Sequence, residues 1–213
     1  MKISVLITST EHPIYSHIGK WAKANSENNQ INILHSHKGL AGGDILFLIS
    51  YSYVISKANR DKFSKTLVIH ASDLPNGRGW SPYIWEIING ETEITISLLE
   101  AEDKVDSGDI WKKIRVNIPK TALYDEINQL IFDAEVELMN FAISHFSNIT
   151  PVKQPDIGSS YWSKRSPKDS EIDINKSLVR QFDLIRVCDP DRFPAFFYKD
   201  GKRFTLTIKR DSE

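Results

Sequence analysis

The sequence predicts an α/β fold with a mostly parallel sheet, helices on both faces, and a small C-terminal helix and β-hairpin. Short apolar runs alternate with helical segments through the first seventy residues, which is typical of βαβ units. Residues 44–50 form a continuous apolar run, as expected for a strand buried on both faces of a parallel sheet. Near the C-terminus, Asp200-Gly201 separates two alternating apolar runs, which is a strong hairpin signal.

The first two thirds of the chain predict six strands and four helices. Strands are expected at residues 2–8, 31–34, 44–50, 66–70, 93–99 and 109–118. Helices are expected at residues 16–28 and 52–60, and the longest at 123–146. A further helix begins at Ser81-Pro82, an N-cap with proline at the first helical position, and ends at Gly90.

The last third predicts a separate small unit. Residues 148–169 are rich in proline, serine and charge, and indicate a linker. A short helix at residues 175–186 and the hairpin follow it. We therefore expect a core of residues 1–147 and a linker with a small appendage at 148–213. The hairpin is a candidate surface for a homodimer.

Composition restricts the classes of partner. The 27 basic and 28 acidic side chains give a net charge of −1, too little positive charge to bind nucleic acid by phosphate neutralisation alone. A tRNA substrate is therefore disfavoured, unless a local basic patch exists. The one cysteine, Cys188, allows no internal disulfide, which fits a reducing cytoplasm. Because the sequence has no apolar run of about 18 residues, we expect no membrane partner.

His70 and Asp106 are the candidate catalytic residues. His70 ends a predicted strand, and the carboxyl ends of strands in an open α/β sheet meet at a ligand-binding crevice. Imidazole exchanges protons near neutral pH, and a carboxylate in another loop, such as Asp106, could orient it. Taken alone, a histidine at a strand end is more often structural. His35 and His37 lack cysteine or carboxylate partners in the sequence, so we expect no metal site.

The residues around His70 and Asp106 strengthen the catalytic interpretation. The order His70-Ala71-Ser72-Asp73-Leu74-Pro75, then Gly77-Arg78-Gly79, then Asp106-Ser107-Gly108-Asp109-Ile110 resembles the signature of the folate-dependent formyltransferases. The resemblance covers residues 2–147 and implies a Rossmann-like core. The tail from Arg165 is similar to the branch that formylates nucleotide-linked amino sugars, with the pseudaminic-acid-pathway type as the nearest likeness. Residues 78–82 also resemble formylation domains of peptide synthetases.

The resemblance implies residue roles and substrates. His70 would be the general acid and base and Asp106 its partner, with 10-formyltetrahydrofolate as formyl donor and a nucleotide-linked amino sugar as acceptor. A pterin pocket would lie between residues 52–55 and 100–106. The implied donor-binding residues are Ser52, Tyr53, Val54, Ile55, Arg78, Glu100, Asp103 and Val105. Alternatives are another amine acceptor, hydrolysis of the formyl folate, and a catalytically weak binding protein.

Val68 departs from the family pattern, in which an asparagine two residues before the histidine holds the formyl oxygen. Valine cannot donate a hydrogen bond, and loss of such a donor typically lowers the rate on the order of 10²–10³-fold. We expect another donor to take this role rather than activity to be lost. Tyr161 and Trp162, in the predicted linker, are candidates to stack on a nucleotide base, with core packing as the alternative.

Overall fold

A computed structural model describes residues 1–155 and 158–211 of the protein. Within those ranges it contains ten strands, five α-helices and one short 3-10 helix, Pro167–Ser170. The strands are β1 (Lys2–Leu6), β2 (Gln30–Leu34), β3 (Gly43–Leu48), β4 (Phe63–His70), β5 (Arg78–Gly79), β6 (Glu93–Glu100), β7 (Ile110–Asn117), β8 (Tyr161–Trp162), β9 (Ala195–Lys199) and β10 (Lys202–Leu206). The helices are α1 (Tyr15–Asn25), α2 (Lys57–Arg60), α3 (Pro82–Ile88), α4 (Tyr124–His145) and α5 (Leu178–Arg186).

The central sheet has six strands in the order β2-β1-β3-β4-β6-β7. β1 pairs in parallel with β2 and β3, and β3 pairs in parallel with β4, whereas β6 is antiparallel to both β4 and β7. The predicted mostly parallel α/β fold is confirmed. Because β2 and β3 lie on opposite sides of β1, the strand order reverses there, and a crevice is expected at the carboxyl ends of β1 and β3.

The two faces of the sheet are covered unequally. On one face, α1, α3 and α4 bury a large apolar core that includes Ile3, Phe47 and Ile131. On the other face, the smaller cluster around Leu6, Leu46 and Phe63 lies under α2 and the neighbouring loops. Across the described ranges, no helix is long and apolar enough to cross a bilayer.

The C-terminal hairpin forms as the sequence predicts. β9 and β10 pair antiparallel around Asp200 and Gly201, whose φ angles of 50° and 72° are both positive. A two-residue turn with two positive φ angles matches the twist of the flanking strands. Arg186 ties α5 to the core, because its buried guanidinium donates to the carbonyls of Pro119 and Ala122 at 3.1 Å each.

Two helices begin clearly later than predicted. The helix expected at residues 52–60 begins only at Lys57: the Ser52 N–H donates to Thr8 Oγ1 at 2.8 Å, outside any helix, and Ser56 has an extended backbone. The helix expected from residue 175 begins at Leu178. There the Asp173 carboxylate accepts the Asn175 N–H at 2.9 Å, a local turn that competes with helix formation.

The segment predicted as a linker packs on the core instead of spanning open solvent. Val152 and Ile110 form an isolated antiparallel bridge, and β8 pairs in parallel with β5. Gln154, within this segment, is buried. Residues 152–155 and 158–162, which we call the strap, therefore lie against the loops that carry the candidate catalytic residues.

Candidate active site

His70 is the last residue of β4, at the carboxyl edge of the sheet. Its Nε2 lies 2.8 Å from the Gly77 carbonyl oxygen. Because a carbonyl only accepts hydrogen bonds, Nε2 carries the proton in this contact. The other ring nitrogen, Nδ1, then faces Asp106 and in the neutral imidazole holds a free lone pair.

Asp106 lies beside this imidazole although the two residues are far apart in sequence. Its Oδ1 is 3.6 Å from His70 Nδ1, and the two side chains are only 7% and 9% exposed. Its Oδ2 accepts the Gly79 N–H at 2.9 Å. The backbone of Asp106 has a φ of 54°, in the left-handed region that non-glycine residues rarely adopt.

The turn between β4 and α3 presents the groups that hold both side chains. Gly77 supplies the carbonyl for His70, and Gly79 supplies the N–H for Asp106. Gly79 has a φ of 99°, and a Cβ there would collide with the Trp162 carbonyl oxygen. The close approach of the strap therefore requires glycine at this position.

The strap adds contacts that the sequence did not reveal. The Ser160 hydroxyl accepts the Gly77 N–H at 2.8 Å. Gln154 Nε2 donates to the carbonyls of Asp106 and Gly108 at 2.9 and 2.8 Å. Proline and polar residues around Gln154 indicated a linker, so the composition gave no signal for this role.

Arg78 connects the turn to the strap. Its Nη2 donates to Gln154 Oε1 at 2.7 Å, and the side chain is buried. Arg78 is one of the donor-binding residues that the resemblance implies. The structure places its guanidinium on Gln154, which in turn holds the loop of Asp106.

The two loops predicted to hold the pterin are joined by Arg60. Its buried guanidinium donates to the Ile55 carbonyl at 2.6 Å and to Asp103 Oδ1 at 2.5 Å. A link of this kind was not predicted, because the sequence placed Arg60 at the end of an ordinary surface helix.

Some of the predicted donor-binding side chains are exposed, and others pack or hydrogen-bond within the protein. Tyr53, Val54 and Val105 are exposed large apolar side chains on the two loops. Ile55 is buried in the smaller core cluster, and the Glu100 carboxylate accepts from Lys65 at 2.7 Å and from Trp111 at 3.1 Å. Ser52 contributes its backbone N–H to Thr8, as described above.

Val68 has apolar neighbours on both sides. In the strand register it lies opposite Leu48 of β3 and Leu99 of β6. Neither neighbouring side chain can donate a hydrogen bond. A donor that replaces the family asparagine therefore has to come from a loop or from the backbone.

The two aromatic residues of the strap differ in accessibility. The Trp162 ring stacks on Trp85, with centroids 5.9 Å apart and an interplanar angle of 15°. Tyr161 is exposed. Of these two candidates for base stacking, Tyr161 is thus the one whose ring is open to solvent.

Burial shifts the pKa values of three further titratable side chains. Burial, with a smaller effect of the Arg192 charge, lowers the pKa of His12 to about 4. Burial raises the pKa of Glu135, on the inner face of α4, to about 8. Burial, then Glu91 and Asp73, raise the pKa of Glu86 to about 7.

Across residues 1–155 and 158–211, no group of three or more His, Cys, Asp or Glu side chains is arranged to hold a metal ion. His37 instead contacts the Tyr51 hydroxyl at 2.7 Å, and His35 Nδ1 lies 3.1 Å from the Ile7 carbonyl oxygen.

Comparison with known proteins identifies relatives of this chain. The methionyl-tRNA formyltransferase of Clostridium acetobutylicum is 30% identical over 176 residues, which are 81% of this chain and 56% of that protein. The first relatives from Rickettsia are covered to 52%. The chain thus spans about half the length of the curated relatives it matches.

Solved structures share the fold at lower identity. A methionyl-tRNA formyltransferase from Clostridium thermocellum superposes with a TM-score of 0.83 at 23% identity, covering 100% of this chain and 94% of that one. A sugar N-formyltransferase from Shewanella sp FDAARGOS_354 gives 0.74 at 14% identity, covering 100% and 99%. The formyl transferase family model matches residues 8–143, which include both His70 and Asp106. The chain therefore belongs to the formyl transferase family.

Proposed function

We propose that the protein is an N-formyltransferase that moves a formyl group from 10-formyltetrahydrofolate to the amine of a nucleotide-linked amino sugar. The observation that carries the proposal is the meeting of His70 and Asp106 at 3.6 Å in a chain of the formyl transferase family. The two side chains sit at the carboxyl edge of the sheet, where open α/β folds bind ligands.

The loops beside the catalytic pair fit a folate donor. Arg60 holds residues 52–55 and Asp103 together, so the two loops form the walls of one site. Tyr53, Val54 and Val105 expose apolar surface there. The faces of the folate rings can cover such apolar surface, and backbone groups can pair with the polar edge of the pterin and set its orientation. The donor supplies the activated formyl carbon.

His70 is suited to carry the proton that the acceptor amine loses. Its Nε2–H is held by the Gly77 carbonyl, so the lone pair on Nδ1 is the available base. As the amine nitrogen bonds to the formyl carbon, Nδ1 takes the amine proton and then returns it to the departing folate nitrogen. Asp106 stabilises the positive imidazolium in between, and burial strengthens that attraction.

Two features favour an amino-sugar acceptor. The net charge of −1 offers little attraction for a polyanionic RNA. The tail from Arg165 is similar to that of the amino-sugar branch. Methionyl-tRNA is the second candidate acceptor, and its support is the 30% identity to the enzyme of C. acetobutylicum.

An acceptor panel tests the proposal. The protein is incubated with 10-formyltetrahydrofolate and, separately, nucleotide-linked amino sugars that differ in amine position, methionyl-tRNA, glycinamide ribonucleotide, or no amine. We expect tetrahydrofolate release and a formylated sugar, seen by mass spectrometry, only with an amino sugar. Formylation of methionyl-tRNA, and of none of the amino sugars, would show that the acceptor is a tRNA and not a sugar. Release without any amine would indicate a hydrolase, and donor binding without release would indicate a binding protein.

His70→Asn provides the matched catalytic test. Loss of the proton carrier is expected to lower turnover by roughly 10²–10⁴-fold while the fold is retained. His17→Asn, which changes a histidine on α1, is the control and should leave turnover unchanged. Unchanged turnover in His70→Asn would remove His70 from the mechanism.

A further inference from the structure

We propose that Gln154 is a positioning residue that fixes the carboxylate of Asp106 against His70. Its catalytic meaning rests on the proposed function, whereas its structural part can be measured without activity. Gln154 lies outside residues 8–143, the part of the chain that the family model matches. It contacts loop carbonyls and Arg78 rather than the imidazole, so it acts through Asp106.

The side-chain NH₂ group of Gln154 binds the backbone of the Asp106 loop at two positions. Nε2 donates to the Asp106 carbonyl at 2.9 Å and to the Gly108 carbonyl at 2.8 Å. Asp106 is in a left-handed conformation, which costs a non-glycine residue free energy and persists only where surrounding contacts hold it. The two donated hydrogen bonds are contacts of that kind, and they set the direction of the Asp106 side chain.

The side-chain oxygen of Gln154 connects the Asp106 loop to the turn that carries Arg78 and Gly79. Gln154 Oε1 accepts from Arg78, whose neighbour Gly79 donates its N–H to Asp106 Oδ2. Asp106 is thus held twice, through its carbonyl by Gln154 and through its carboxylate by the turn that Gln154 also anchors. A side-chain amide is required, because this position needs two donated protons and one acceptor oxygen.

The chain offers a matched control in Gln181. The side chains are similarly buried, with residue exposures of 6% for Gln154 and 9% for Gln181. Gln181 also makes three hydrogen bonds, accepting the Asp173 N–H at 2.7 Å and donating to the carbonyls of Asp173 and Lys176. These bonds lie on the approach to α5, so Gln181 carries a comparable structural load without contacting the Asp106 loop.

The kinetic test uses Gln154→Ala, Gln154→Glu and Gln181→Ala at a temperature where all are folded. Gln154→Glu can still accept from Arg78 but turns an oxygen toward the two carbonyls. We expect both Gln154 variants to lower kcat on the order of 10- to 100-fold, as misplacement of a catalytic group does, with KM changed less than about threefold. Gln181→Ala should lower Tm but leave kcat unchanged.

A double variant separates positioning from general damage. If Gln154 acts through Asp106, adding Gln154→Ala to Asp106→Ala should lower kcat no further. Losses that multiply in the double variant would overturn the proposal. An equal loss of kcat in Gln154→Ala and Gln181→Ala would also overturn it.

Amide hydrogen exchange gives a readout that needs no substrate. In Gln154→Ala, exchange at the Gly79 amide and across residues 101–109 should accelerate about tenfold or more relative to wild type, because the loop loses its anchor. Gln181→Ala should leave those amides unchanged. Equal protection in wild type and Gln154→Ala would refute the positioning role. If wild type formylates no amine while the exchange difference is present, the proposed function fails and the positioning of Asp106 stands.

Discussion

Asp106→Asn is the substitution whose effect the geometry defines most closely. Asparagine keeps an oxygen that can accept the Gly79 N–H, so the loop should retain its shape. It removes the negative charge 3.6 Å from His70 Nδ1. At that distance, and at an effective dielectric constant of about 20, the attraction to a full imidazolium charge is about 5 kcal/mol.

The expected loss of rate follows from that attraction. Since each 1.4 kcal/mol corresponds to about tenfold, and the imidazolium is only partly formed in the transition state, kcat should fall by roughly 10²–10³-fold. KM should change little, because the carboxylate is held by the protein backbone rather than by substrate in this geometry.

The assay is single-turnover formyl transfer to the active acceptor, with Asp109→Asn as control. Asp109 lies in the same segment, but its side chain takes no part in the hydrogen bonds described for His70 and Asp106. Its variant should therefore keep the wild-type rate. A kcat within about threefold of wild type in Asp106→Asn would refute the electrostatic role of Asp106. A comparable loss in Asp109→Asn would show that the loop, and not the charge, is responsible.

Three further predictions concern residues around the site and in the core. Val68→Asn should change kcat by less than about threefold, because we expect another donor to hold the formyl oxygen; a rise of 10²-fold or more would show that the donor is missing. Arg60→Ala should raise the KM for 10-formyltetrahydrofolate about tenfold, since it frees the two loops, whereas Lys57→Ala, which breaks an exposed ion pair, should not. A KM for the donor equal to that of wild type in Arg60→Ala would show that Arg60 does not shape the donor pocket. Glu135 favours its neutral form in the folded protein, so its contribution to stability is lost as pH rises from about 4.5 to about 8, by up to about 5 kcal/mol. Urea unfolding should therefore show Glu135→Gln stabilised relative to wild type at pH 8 but not at pH 4.5, with the exposed Glu137→Gln as control; an equal difference at both pH values would contradict the raised pKa.

The sheet and the hairpin could be predicted because their signals are local. The apolar run at residues 44–50 marks a strand with a buried centre, and the residues at 93–99 also form a strand, which is buried on both faces although its apolar side chains alternate with Thr95 and Ser97. Asp200-Gly201 specifies its turn through backbone conformation alone. Such features depend on periodicity and turn chemistry, which one sequence displays.

The late start of α2 was missed because one of the contacts that hold the preceding loop is distant in sequence. Residues 52–56 have no helix-breaking residue, so the pattern favoured a helix. The Ser52 N–H donates to Thr8, far earlier in the chain, and the Ile55 carbonyl accepts from the Arg60 side chain instead of from a helix backbone. Tertiary hydrogen bonds of this kind override local propensity.

The site was predictable only in part for a similar reason. His70 and Asp106 stand in short motifs that resemble a known family, and the structure brings them together. Gln154 stands in a polar, proline-containing segment whose composition indicates a linker, and its contacts depend on how the chain returns to the turn at Arg78. Glu135 sits next to Ala134 on the apolar stripe of α4, where only the three-dimensional packing shows that the carboxyl group is buried.

The most direct measurement is a crystal structure of the wild-type chain with 5-formyltetrahydrofolate, a donor analogue whose formyl group sits on a different nitrogen, and a nucleotide-linked amino sugar. We predict that the pterin lies between residues 52–55 and the Asp106 loop, with the acceptor nitrogen within about 3.5 Å of His70 Nδ1 and facing the folate nitrogen that carries the formyl group in the donor itself. A folate bound elsewhere, or an amine that faces away from His70, would contradict formyl transfer at this site.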